Sequence, residues 1–448
     1  MKNRGNTSLI EGNILEGILN MAWPILLANL FQEVYNITNS MIVGNYVSTI
    51  ALGAVSATGP ILNILNYIFH GFATGTGIVV ARLYGANNKE DLRKSVGTIV
   101  VFAAMTGLLF TLIMEVFTPL LLNINNIQSD IYASCATYLR VYSLGSAAVL
   151  MYTMLFYLLR AIGDSRHPLY YLIASCLLNI VLGMFFTLVL HMEIAGVALA
   201  TILSELVVDV LCLRLLFRME EFRIDFKTLR FDWSVCRQIV SIGIPAAVQN
   251  MLIAVSLMFL QQYINRYPVE AIAGIGVGNR VANWSQIPLQ ALSTSITTFV
   301  GQNIGADRFE RVKDGVKQTV FIGTAVTAGM VAMIFILAKP LVSLFDRNPE
   351  VIRYGSEMTR YMVLSYIPLA WSHLYNASLR GAGNIRVPLI IAVLTQCIFR
   401  YLFVLVAYRF TDSILVIYLS GALCFTLAGC AAYAYYNYGE WTKENRMR

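Results

Sequence analysis

Twelve long apolar runs follow one another along this 448-residue chain, and no gap between them is wide enough for a soluble domain. A helix that crosses a bilayer needs roughly 20 mostly apolar residues. The runs at 14–43, 51–80, 96–117, 133–158, 169–190, 194–216, 237–264, 270–300, 317–338, 355–378, 388–409 and 413–437 are read as such spans. The fold class is therefore all-α and polytopic, twelve transmembrane helices that each keep their backbone hydrogen bonds within one segment. Composition agrees: 13% of residues are charged and the mean hydropathy is +0.65, whereas a soluble protein carries about a quarter charged residues. A soluble enzyme is excluded. The 24 Tyr and 23 Phe exclude disorder as well. Seven scattered cysteines without a C-x-x-C pair read as buried apolar residues, not as a disulfide framework or a zinc site. The first run begins at Ile14 and is long enough to span, so it reads as a retained helix rather than a signal peptide.

Basic residues orient the spans. With the N-terminus cytoplasmic, 23 of the 32 Lys and Arg fall on that side, five on the other, and four within spans (Arg140, Arg280, Arg360 and Arg400). Both termini are expected inside, in the plasma (inner) membrane. The net charge of +7 is then a topology signal, and no nucleic-acid partner is expected.

The two halves also resemble each other at a spacing of 220 or 221 residues. L-R-A-I-G-D-S-R-H-P at 159–168 aligns with L-R-G-A-G-N-I-R-V-P at 379–388. Pro24 pairs with Pro245, Asn29 with Asn250, Gly53 with Gly274, Pro119 with Pro340 and Arg140 with Arg360. Six spans per half is an even number, so both halves share one orientation. Two six-helix lobes are expected, 1–217 and 237–448, joined by a cytoplasmic linker at 218–236. A pseudo-two-fold axis along the membrane normal relates lobes of this kind, with a cleft between them at mid-membrane.

The segment P-I-L-L-A-N-L-F-Q-E-V-Y-N-I-T-N-S-M-I-V-G at 24–44 resembles the first helix of the multidrug and toxic compound extrusion (MATE) family. V-A-R-L-Y-G-A at 80–86 and V-G-Q-N-I-G-A at 300–306 resemble its loops after helices 2 and 8, and the paired L-R-x-x-G-x-x-R-x-P segments its loops after helices 4 and 10. The resemblance runs from about residue 12 to 438. It implies a V-shaped exporter, not an enzyme, in which Na⁺ or H⁺ runs inward as lipophilic, often cationic compounds leave. No cofactor is expected beyond that coupling ion, and no metal beyond a possible Na⁺ site. The working unit is expected to be a monomer in the lipid bilayer.

Polar residues inside spans are costly in lipid and mark sites. Helix 1 carries Asn29, Gln32, Glu33, Asn36, Asn39 and Ser40, mostly on one face. Glu33 is its only acid: either a carboxylate that exchanges a proton or holds Na⁺, or a protonated group bonded to a neighbouring helix. Helix 6 carries Thr201, Glu205 and Asp209 four residues apart, and helix 5 carries Ser175, Asn179 and Gly183 at the same spacing. Two carboxylates one turn apart repel when both are ionised, so one keeps a proton or both share a cation. The candidates for cation coupling are thus Glu33, Asn36, Asn39, Asn179, Thr201, Glu205 and Asp209. The resemblance adds that Asn179 and Thr201 match a family cation site, whereas Asn39 and Gly183 stand where that site commonly has aspartates. Gln32, Gln249, Asn250, His373 and Asn376 are the candidates for the substrate cleft. His373 is either a group titrating near neutral pH or a packing residue.

Rival classes find less support. A flippase for lipid-linked sugars or another amphiphile would use a basic cavity to hold pyrophosphate, a reading that Arg280 and Arg400 leave open. An intramembrane enzyme would need clustered His, Asp or Ser–Lys groups. No G-x-x-x-x-G-K-[ST] loop is present, so an ion gradient is the expected driving force.

Overall fold

The computed structural model describes residues 9–42, 49–219, 222, 230–439 and 441. Part of the expected linker (220, 221 and 223–229, with Arg223 and Lys227) lies outside the described residues. So do Lys2, Arg4, Lys443, Arg446, Arg448 and the side chain of Ser40.

The described chain is helical throughout its spans: α1 (Ile14–Ile42), α2 (Thr49–Gly85), α3 (Lys89–Ile124), α4 (Ser129–Leu144), α5 (Ser146–Ala161), α6 (Arg166–Met184), α7 (Glu193–Arg218), α8 (Trp233–Ile264), α9 (Val269–Asn283), α10 (Gln286–Gly305), α11 (Phe309–Ser343), α12 (Pro349–Leu364), α13 (Tyr366–Gly381), α14 (Arg386–Ala392), α15 (Arg400–Ala407) and α16 (Leu415–Tyr438). Wider π-turns follow α6 at Phe185–Val189 and α14 at Val393–Phe399. Nine of these rods are long and apolar enough to cross a membrane, ten when α4 and α5, bent by 54°, count as one. The pairs α9–α10 and α12–α13, each interrupted once, complete twelve. The breaks are what the sequence pattern did not show: a continuous apolar run hides Gly145 between α4 and α5 and its counterpart Ser365, 220 residues on.

The repeat is carried into backbone geometry. Asn87 and Asp307 both adopt the left-handed conformation (φ 53° and 56°) in the turns after α2 and α10, as do Gly163 and Gly383 (φ 89° and 75°) after α5 and α13. At the second pair the hydrogen bonds also match. Gly163 N–H donates to Arg160 O and Asp164 N–H to Leu159 O; Gly383 N–H donates to Arg380 O and Asn384 N–H to Leu379 O. This is a helix C-terminus closed by a left-handed residue, where glycine avoids the Cβ clash. Asp164 Oδ1 then accepts from the N–H groups of Arg166 and His167, and Asn384 Oδ1 from that of Val387, opening the next helix in each half. Arg140 pairs with Glu115 at 3.4 Å; its counterpart Arg360 donates to the carbonyl of Phe335 at 3.3 Å, and Phe335 is itself the counterpart of Glu115. The matched arginines tie α4 to α3 and α12 to α11. Of the arginines at the turns after α2, α5 and α13, Arg166 and Arg386 are exposed, whereas Arg82, Arg160 and Arg380 are half-buried. Arg160 lies over the Tyr157 ring, its guanidinium carbon 5.9 Å from the ring centroid.

The described chain forms two compact units, one of residues 27–247 and one of residues 9–26 with 248–448. The linker therefore does not mark the whole boundary. The first half of α1 belongs with the second unit, and residues 237–247 of α8 belong with the first. Each handover follows a helix-interior proline, Pro24 or Pro245. Proline removes a backbone hydrogen bond, so each helix is weakest where its packing partner changes. In the first unit Phe69 meets Phe110 edge to face (5.4 Å) among Leu150, Met154 and Leu155. The second holds one cluster around Ile18, Phe299 and Leu374, and another around Met362, Tyr366 and Tyr418. Along α3, Met105, Leu108, Leu112 and Val116 are exposed apolar residues, as a lipid-facing surface requires.

Gly107 lets α3 touch the start of α5: a Cβ there would sit 2.2 Å from the Ala147 Cα, whereas one at Gly59 in α2 would meet nothing within 4 Å. Gly107→Ala is expected to destabilise the detergent-solubilised protein by about 1–3 kcal/mol through overpacking. Gly59→Ala should be neutral or stabilising by up to about 1 kcal/mol. Thermal unfolding of the two variants measures the contrast.

Candidate functional site

Three helices of the first unit turn polar groups toward one another. On α6, Asn179 is buried, and its Oδ1 accepts from the Tyr35 hydroxyl of α1 at 2.7 Å. Its Nδ2 donates to Thr201 Oγ1 of α7 at 3.0 Å, and that hydroxyl donates to Val197 O at 3.3 Å. Asn179 thus joins three helices, with both ends of its amide engaged. Lipid offers these groups no partner, so the three polar faces are held together by mutual need.

One turn beyond Thr201 on the same face of α7 stands Glu205, and one turn further Asp209. Asp209 is only 3% exposed, and neither of its carboxylate oxygens has a hydrogen-bond partner; nor does Glu205 Oε2. The two acids are close enough to interact electrostatically, and Tyr35, Tyr142 and Tyr152 lie within reach of Glu205. Cys176 and Cys212 are buried beside the cluster. Three orphaned carboxylate oxygens in an apolar bundle are an expensive arrangement for a fold to keep. Gly183 lies one turn from Asn179, and a Cβ added there would meet only the Ala200 methyl, at 3.8 Å, so the position has room for a side chain.

The structure brings together Asn179 and Thr201 and sets Glu205 and Asp209 along the same helix face. It does not bring Glu33 to them. Glu33 is exposed, and Tyr35, two residues on, occupies the contact with Asn179. Of the coupling candidates, Glu33 and Asn36 on α1 thus stand apart from Asn179 and Thr201, and α1 reaches the cluster through a tyrosine. Gln32 donates to Asn36 Oδ1 at 3.3 Å on the exposed side of α1, and Asn39 is half-buried. Tyr35 was missed because a lone aromatic in a span reads as packing. Its position three residues after Gln32 and four before Asn39, on the polar face, is the signal that could have marked it.

In the second unit Gln249 and Asn250 are half-buried on α8 and His373 is half-buried on α13. Asn376 is buried, donates to Ser372 Oγ at 3.2 Å, and leaves its Oδ1 without a partner. Among the described residues no hydrogen bond links the α8 pair to the α13 pair. Arg280 is exposed. Arg400 is half-buried with its Nε unpartnered, and reaches toward Gly421, where an added Cβ would lie 3.4 Å from a guanidinium nitrogen. No group of three or more His, Cys, Asp or Glu among the described residues has metal-binding geometry.

Comparison with known proteins gives the fold its family. The chain is 26% identical over 433 residues to "Probable multidrug resistance protein YpnP" of Bacillus subtilis (strain 168), covering 96% of both chains. It is 27% identical over 382 residues to "Probable multidrug resistance protein YoeA" of the same organism, covering 83% of this chain and 82% of that one. A crystal structure of MATE in the bent conformation superposes with a TM-score of 0.92 at 18% identity, covering all of both chains. The MatE family profile matches residues 24–185 and 245–408, one match in each half of the repeat. The chain belongs to the MatE family of multi-pass membrane transporters.

Proposed function

We propose that this transporter exports lipophilic, often cationic organic compounds by alternating access, driven by H⁺ or Na⁺ moving inward, and that Asn179, Thr201, Glu205 and Asp209 hold the ion. The carrying observation is the set of three buried, unpartnered carboxylate oxygens on Glu205 and Asp209. A buried carboxylate charge is tolerated once a proton or cation joins it, so an ion that arrives and leaves is the natural partner. Tyr35, Asn179 and Thr201 supply further oxygens on adjoining helices and fix the distance between them. The names of the Bacillus subtilis relatives favour multidrug substrates. Cytoplasmic termini and the plasma membrane follow from the bias of basic residues. Each unit charge moved inward gains about 2.3 kcal/mol per 100 mV, enough to drive export about fifty-fold uphill. Glu33, apart from the cluster on the exposed side of α1, serves ion entry in this reading.

The test is efflux of a lipophilic cationic dye from proteoliposomes with Na⁺ and H⁺ gradients imposed separately. Glu205→Gln and Asp209→Asn are expected to reduce gradient-driven efflux to the rate without a gradient while leaving dye binding unchanged. Glu33→Gln should slow exchange without abolishing it. Parent rates in both α7 variants would place the coupling ion elsewhere.

Removing the Tyr35 hydroxyl leaves the Asn179 carbonyl oxygen without its donor. Tyr35→Phe should cost about 1–3 kcal/mol of stability, read by thermal unfolding. If the amide orients the ion site, coupling should loosen in the same variant, with dye leaving per ion falling while dye affinity holds.

A further inference from the structure

A sizeable hollow lies away from the acidic cluster, on the second unit. It is a groove of about 890 Å³ between α11, α13 and α16. Along α11 the lining residues fall on one stripe: Lys313 and Lys317, then Val320, Phe321, Thr324 and Ala328. Fifteen residues of helix span about 22 Å, so the stripe runs from the loop end of α11 well into the membrane. Trp371, Tyr375, Tyr433, Tyr436 and Trp441 form the facing wall. Their indole donors are already used: Trp371 Nε1 donates to Thr324 Oγ1 at 3.0 Å and Trp441 Nε1 to Tyr436 O at 2.7 Å. The two indoles therefore present ring surface to the groove. Phe321 is 76% exposed, so the groove opens on the lipid side.

Charge sits at one end only. Lys313 is paired with Glu310 at 3.0 Å, Lys317 pairs with no described residue, and no described carboxylate lines the groove. A lipophilic cation is repelled at that mouth, and a soluble anion gains nothing from the aromatic walls. An amphiphile with an anionic head and an apolar tail satisfies both ends. We propose that the groove binds an anionic phospholipid, its phosphate at Lys313 and Lys317 and one acyl chain along Val320, Thr324 and Ala328 between the aromatic walls. Tryptophan and tyrosine favour this depth of the bilayer, and lysines at the surface attract anionic headgroups. The site requires only that the chain spans a membrane, so it stands or falls independently of the coupling ion and the exported substrate.

The test uses the full chain in mixed micelles and follows tryptophan quenching by dibrominated phosphatidylglycerol against dibrominated phosphatidylcholine. Trp371→Phe and Trp441→Phe identify the part of the signal that comes from the groove. That part should be quenched at lower mole fraction by the anionic lipid. Lys313→Gln and Lys317→Gln should each weaken the preference by about fivefold, whereas Lys339→Gln, near the far end of α11, should not. Equal quenching by both lipids, or an unchanged preference in Lys317→Gln, would overturn the proposal. Protection by inorganic phosphate as strong as by phosphatidylglycerol would also overturn it, because the occupant would then be a soluble anion.

Discussion

The contact that the first unit depends on is the amide of Asn179. A hydrocarbon surround supplies neither donor nor acceptor, so polar faces on separate spans are driven to meet. Asn179 can donate and accept at once, and it uses both capacities, taking the Tyr35 hydroxyl and giving to Thr201. That one residue sets α1, α6 and α7 at hydrogen-bonding distance. It also fixes which face of α7 turns inward, and Glu205 and Asp209 are carried inward with Thr201 because they share that face. Asp209 is buried and Glu205 half-buried as a consequence of the bond one and two turns away, which is how a fold can keep carboxylate oxygens that have no partners of their own.

Much of this architecture was legible in the sequence because lipid imposes a simple rule. Span lengths follow from bilayer thickness, and the duplicated turn motifs gave a register that backbone geometry repeats at Gly163 and Gly383. What was not legible were events inside apolar stretches. The breaks at Gly145 and Ser365, the π-turns after α6 and α14, and the transfer of the first half of α1 to the second unit leave hydropathy unchanged. A proline marks each transfer, yet proline within a span has many causes, so Pro24 and Pro245 alone do not announce a change of packing partner.

Which side chains of the candidate site meet was legible only in part, for the same kind of reason. Spacing of four along helices 5 and 6 placed Asn179, Thr201, Glu205 and Asp209 on common faces, and their mutual burial follows from the cost of leaving them in lipid. Spacing along helix 1 was weaker evidence, because a polar face about 120° wide does not say which of its edges meets helix 5. Glu33 and Tyr35 lie about 200° apart around the helix axis, so only one of them can meet Asn179. The charged residue drew attention; the neutral hydroxyl makes the contact.

The repeat also shows how far the two halves have diverged in charge on a shared scaffold. At a register of 221 residues Arg400 stands where Asn179 does, and at 220 residues Gly421 stands where Thr201 does. Arg400 reaches toward Gly421 across the equivalent pair of helices. Glu205 and Asp209 correspond to Phe425 and Gly429 at the 220-residue register. One hub therefore holds two carboxylates and the other a guanidinium, which remains charged even when largely withdrawn from water. A small cation is attracted to the first and repelled by the second. The two hubs differ in backbone as well as in side chains, because the π-turn lies after Asn179 in the first half and directly before Arg400 in the second. The added residue of that turn is why the register is 221 at Arg400 and 220 at Gly421, and the proposed ion site accordingly has no counterpart in the second unit.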